Sequence, residues 1–107
     1  MSAADLTEAL RALAHPDRRE FVRACAGAER SAGDLAELSS LSLASVSEHL
    51  KVLRKAGLLV LDRRGRHWMY RADSALLTAI AEAVASLGDD DVRGASTMTM
   101  TTPSTPL

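Results

Sequence analysis

Apolar residues return along the first half of this chain at intervals of three and four, with polar residues between them. That period belongs to an amphipathic helix, whose buried stripe takes positions i, i+3, i+4 and i+7. Leu6, Ala9, Leu10 and Leu13 predict a first helix over residues 4–14. His15-Pro16 interrupts it, and Pro16 suits the opening of a second helix because its missing N–H has no intrahelical partner there. Phe21, Val22 and Cys25 mark the inner face of that second helix, and Gly27 follows its end. Ser31 with Asp34 three residues on is a short-armed capping box for a third helix, residues 32–39, whose apolar face is Leu35 and Leu38. Ser42 caps a fourth helix, residues 43–56, on which Val46, Leu50 and Leu53 recur. Gly57 stands where a left-handed residue closes a helix.

From Leu58 the period changes. Residues 58–63 and 66–72 are rich in β-formers, and the link Arg64-Gly65 predicts a hairpin with a type I′ turn. In that register Leu61 faces Trp68 and Leu59 faces Tyr70, while Val60 and Met69 share the other side. Trp68 and Tyr70 are thereby expected in the hairpin's core. Asp73 caps a last helix, residues 74–87, ended by Gly88. Leu76, Ile80, Ala83 and Leu87 form one stripe on it and Leu77, Ala81 and Val84 a second, so it needs more than one neighbour to cover it. The order is α-α-α-α-β-β-α: a mainly helical winged helix-turn-helix, with the third and fourth helices as the helix-turn-helix and the hairpin as the wing. Residues 1–88 make one domain. Residues 89–107, low in bulky hydrophobes and high in Thr, Ser and Pro, read as a disordered tail. Its Asp89–Asp91 run reads as solvated, and Met98 and Met100 as flexible-tail residues.

Composition fits helices. Aromatics are 3% of 107 residues, so the core rests on Leu, Ala and Val. The formal net charge is −1, yet seven of the thirteen basic residues (Lys51, Arg54, Lys55, Arg63, Arg64, Arg66, Arg71) lie within residues 51–71 against the single acid Asp62. A local basic patch in an otherwise acidic chain is an electrostatic footprint for nucleic acid. The lone Cys25 excludes an intramolecular disulfide, and with no apolar run of about 18 residues and no signal peptide a cytoplasmic protein away from membranes is expected.

The candidate chemistry follows from the fourth helix and the wing. With Val46, Leu50 and Leu53 turned inward, Leu43, Ala44, Ser45, Ser47, Glu48, His49 and Lys51 are left on or near the open side. Early residues of a recognition helix reach base edges, through serine or histidine hydrogen bonds and apolar contact with thymine methyls. Lys51, Arg54 and Lys55 are expected on phosphates, and Glu48 can accept from cytosine or pair with Lys51 or Lys55. Arg63, Arg64 and Arg66 at the wing tip suit the minor groove or its phosphates. Cys25 reads as a packing thiol and His15 as a helix-end residue. No nucleophile–base–orienter set, phosphate-cradling glycine loop or carboxylate cluster points to an enzyme.

Three stretches, ALRALAHPDRREFVRA at 9–24, AGDLAELSSLSLASVSEHLKVLRKAGLL at 32–59 and RRGRHWMYR at 63–71, resemble the arsenic-repressor (ArsR/SmtB) family of bacterial winged-helix regulators. The resemblance implies a homodimer whose first and last helices pack across a two-fold axis, reading a near-palindromic operator on double-stranded DNA and releasing it in response to an effector. Leu6, Leu10, Leu13, Leu76, Leu77, Ile80, Val84 and Leu87 are the residues expected at that interface. The family's usual metal positions are filled otherwise. ERSAGDL lacks the Cys-x-Cys pair near the third helix, and DSALLTAIAEAVASL offers Asp73 and Glu82 without histidine. Leu43 stands where the family often has Gln. No cofactor is expected at the usual positions, and the effector is not specified. Two other readings stand beside this one: a metal- or redox-responsive switch with a non-standard site drawn from His15, Cys25, His49 and His67, and a protein-interaction module on the same fold.

Overall fold

The computed structural model describes residues 1–89. Its elements are α1 (Ala3–Leu13), α2 (Pro16–Gly27), α3 (Ala32–Ser39), α4 (Leu43–Lys55), β1 (Leu59–Arg64), β2 (His67–Ala72) and α5 (Ser74–Ala85), which ends in a 3₁₀ turn, Ser86–Gly88. The order is the one the periodicity predicts. The expected tail lies, apart from Asp89, outside the described residues.

Local chemistry sets the helix ends. Ser2 and Asp5 form a full capping box, so α1 begins one residue earlier than its apolar stripe implies. Ser31 and Asp34 form another, and the backbone and side-chain hydrogen bonds from Ser31 hold the Asp34 carboxyl below the usual carboxylate range. His15 is the N-cap of α2: its Nδ1 accepts from the Asp17 N–H at 3.1 Å. The corner between α1 and α2 is tied by two arginines that bond the last carbonyls of α1. Arg18 Nε donates to Ala12 O at 2.7 Å and Arg19 Nη1 to Leu13 O at 2.7 Å, supplying partners that the end of a helix otherwise lacks. Ser40 enters the turn between α3 and α4 at φ 62°, a left-handed conformation that lets the chain reverse within three residues.

Phe21, Leu35, Val46, Leu50, Leu53 and Leu58 fill the centre, so α2, α3, α4 and the approach to β1 share one core. Ile80 of α5 joins it at 5% exposure. A side chain spent on its own core in this way has little surface left for a partner. Leu6, Leu13, Leu76 and Leu77 are half-buried against the same core. Leu10, Val84 and Leu87 are exposed, Leu87 at 71%.

The hairpin forms in a different register from the predicted one. Leu59 pairs with Ala72, Leu61 with Tyr70 and Arg63 with Trp68, and the two-residue link is Gly65-Arg66. This choice puts glycine at the first turn position, where φ is +59°, and leaves Arg66 outside the positive-φ region. That is the type II′ requirement, and it avoids forcing an arginine left-handed as the I′ turn would have done. Trp68 consequently moves out along the wing and is 47% exposed, which corrects its expected burial; Tyr70 is buried. The segment between α2 and α3 adds a short rung to the sheet: Arg30 N–H donates to Tyr70 O at 3.0 Å and Tyr70 N–H to Arg30 O at 2.7 Å. The base of the wing is thereby pinned to the helical body.

Candidate nucleic-acid interface

Helix α4 turns Val46, Leu50 and Leu53 into the core and exposes Leu43, Ala44, Ser45, Ser47, Glu48, Lys51, Arg54 and Lys55. Its first turn is closed by Ser42, whose Oγ accepts from the Ser45 N–H and donates to Ser45 Oγ, both at 3.1 Å. The Lys51 ammonium lies 3.4 Å from Glu48 Oε2 in solvent, so the acid is locally balanced by its i+3 neighbour. Arg54 and Lys55 fall in the last turn, where their charge also suits the helix dipole.

His49 is not on this face. It is half-buried on the flank of α4 that meets α2, with its ring centroid 4.5 Å from that of His15 and 6.0 Å from that of Phe21, edge-on. Arg18 Nη1 approaches His49 Nδ1 at 3.5 Å. Partial burial first, then the neighbouring His15 and Arg18, hold the His49 pKa below its ordinary value. The reason is already in the spacing: Val46, His49, Leu50 and Leu53 make a complete i, i+3, i+4, i+7 series, so His49 belongs to the inner stripe.

The three wing arginines have three different environments. Arg63 lies over the Trp68 ring, 4.5 Å from its centroid, as the register requires of directly opposed residues. Arg64 is held by two acids, with Nε 3.0 Å from Asp62 Oδ2 and a guanidinium nitrogen on the Glu29 carboxylate. Glu29 chiefly, and Asp62 after it, stabilise its protonated form further. Arg66, in the turn itself, makes no ion pair among the described residues. Glu29 and Arg30 thus govern the wing, although nothing local in the sequence marks them; their role depends on a contact between segments 35 residues apart.

Of the candidate ligands, Cys25 is 3% exposed, and burial, opposed in part by Arg30, pushes its thiol up to about 11. His67 is exposed at the start of β2. Neither joins a cluster. His15, Asp17 and His49 do: one donor atom from each lies within 4.8 Å of the others, the one such group among the described residues.

A family model described as a helix-turn-helix domain matches residues 13–62, from the end of α1 into β1. The HTH-type transcriptional repressor SmtB of Mycobacterium tuberculosis is 37% identical over 86 residues, covering 79% of this chain and 64% of that protein. This chain therefore spans less than two thirds of that repressor's length. The HTH-type transcriptional regulator NmtR of the same organism is 34% identical over 84 residues, covering 78% of this chain and 70% of its own. Among solved structures, an ArsR-like transcriptional regulator from Rhodococcus sp. RHA1 superposes with a TM-score of 0.77 at 30% identity, over 84% of this chain and 85% of that one.

Proposed function

Because the chain belongs to the ArsR/SmtB family of winged helix-turn-helix regulators, we propose that it is a homodimeric, sequence-specific DNA-binding repressor of transcription. The observation that carries the reading is the separation of faces on α4. Its apolar side is spent on the core, while Ala44, Ser47, Glu48, Lys51 and Lys55 share the opposite, exposed face, and α4 packs against β1 of the basic wing. Ala44, Ser47 and Glu48 read base edges, with Leu43 and Ser45 at the rim. Lys51, Arg54, Lys55, Arg63 and Arg66 meet phosphates.

Two copies join through α1 and α5, where Leu10, Val84 and Leu87 are exposed, with Leu6, Leu13, Leu76 and Leu77 at the margin. A two-fold pair presents two α4 helices to successive major grooves and so matches a palindromic operator. No described helix is long and apolar enough to cross a membrane, and the protein acts on DNA in the cytoplasm as a regulator, not as an enzyme. Mapping of bound DNA across the genome identifies the operator. Titrating that duplex in a metal chelator at several salt concentrations then gives a steep, linear fall of log affinity with log salt. Binding no tighter to the operator than to random duplex rejects the reading.

A further inference from the structure

We propose that His15, Asp17 and His49 form a binding site for a borderline divalent metal ion of the Zn²⁺, Ni²⁺ or Co²⁺ class, joining the start of α2 to the middle of α4. Two imidazoles and a carboxylate are the donors such ions accept, with further positions left to water. The three come from two elements and converge: donor atoms within 4.8 Å of one another, His15 Nδ1 3.9 Å from Asp17 Oδ2, and the two rings tilted by 54° at 4.5 Å. The His15 and Asp17 side chains are 40% and 43% exposed, so solvent and an incoming ion reach the site directly.

Metal–nitrogen bonds of 2.0–2.1 Å in a tetrahedron require donor separations of about 3.4 Å, so the triad must close by roughly 1.4 Å at its widest. The means are present. His15 and Asp17 side chains are 40% and 43% exposed and can shift once His15 gives up its bond to the Asp17 N–H, whereas His49 is braced by Phe21 and serves as the fixed point. Closure rearranges the corner it bridges. Whichever His15 nitrogen takes the ion, Nδ1 ceases to accept from the Asp17 N–H, because it carries either the metal or the ring proton. A cation at His49 likewise repels the Arg18 guanidinium, which also holds the end of α1. The ion therefore trades the N-cap of α2 for a direct tie to α4.

The test uses the full chain without DNA. Co²⁺ titration, followed by calorimetry and visible ligand-field absorption, should saturate at one ion per chain. His15→Gln and Asp17→Asn, both at accessible positions, should each weaken binding at least about tenfold. His67→Gln and Cys25→Ala should bind as the parent does. Metal-free thermal melts establish that each variant is folded, so the result does not hang on the half-buried His49. No saturable binding, undiminished binding in His15→Gln, or loss of binding in His67→Gln overturns the site. If metal binding fails while salt-dependent operator binding in chelator persists, this site falls alone and the DNA reading stands.

Discussion

The wing holds one arginine in reserve and leaves another free, and the difference can be read as a salt slope. Arg64 is engaged by Glu29 and Asp62, while Arg66 has no acidic partner among the described residues. Each protein–phosphate contact contributes about 0.9 to the slope of log affinity against log salt. Replacing both acids, Glu29→Gln with Asp62→Asn, frees Arg64 in each of two protomers and should steepen the slope by about 1.8. Over a fourfold rise from roughly 50 to 200 mM salt, that amounts to about a twelvefold greater loss of affinity, with tighter binding than the parent at the low end. Arg66→Gln should make the slope shallower by about 1.8, and Arg64→Gln in the parent should hardly move it. Fluorescence anisotropy on an operator duplex at four salt concentrations measures all three. The Arg64 ion pairs are solvent-exposed and screened, so thermal melts should show the parent and the acid variants equally folded. An unchanged or shallower slope in the acid double variant, or equal losses for Arg64→Gln and Arg66→Gln, would show that Glu29 and Asp62 do not hold Arg64 back from phosphate.

Three further outcomes follow from the interior. Since the folded state holds His49 below its ordinary pKa of 6.5, the neutral ring is favoured: its contribution is complete above that value and is lost as pH falls through the folded one. Urea midpoints should therefore drop on acidification below pH 6.5, and more steeply than in His49→Gln; parallel profiles would contradict this. Cys25, raised to about 11 by burial, should react with a thiol reagent at pH 8 only as fast as the chain opens, so labelling within seconds of mixing argues against its place in the core. Leu53→Ala, at a fully buried α4 position, should cost about 2–5 kcal/mol in urea unfolding, and a cost below about 1 kcal/mol would show that α4 is not packed as described.

The helices could be read from the sequence because their signals are local. Ser31 with Asp34, Ser42, Pro16 and Asp73 each act within a turn of where they stand, and each caps or opens the helix beside it. The hairpin shows what locality leaves undecided. Sliding the register by two residues keeps every side chain on its face, so alternation could not distinguish Leu61 opposite Trp68 from Leu61 opposite Tyr70. The conformational demand of Gly65 decided it. His49 is half-buried because its position completes the stripe of Val46, Leu50 and Leu53, and a polar residue in a stripe position is still in the stripe. Glu29, Arg30 and the meeting of His15 with His49 depend on packing between distant segments, which no window of sequence contains.

On the proposed reading, two α4 helices enter successive major grooves of one duplex. Hydroxyl-radical footprinting together with methylation interference on the mapped operator tests it directly. Two equivalent major-groove contacts are expected about 10 base pairs apart on one side of the helix, each flanked by backbone protection from a wing. A single contacted half-site, or protection spread evenly along the duplex, contradicts it.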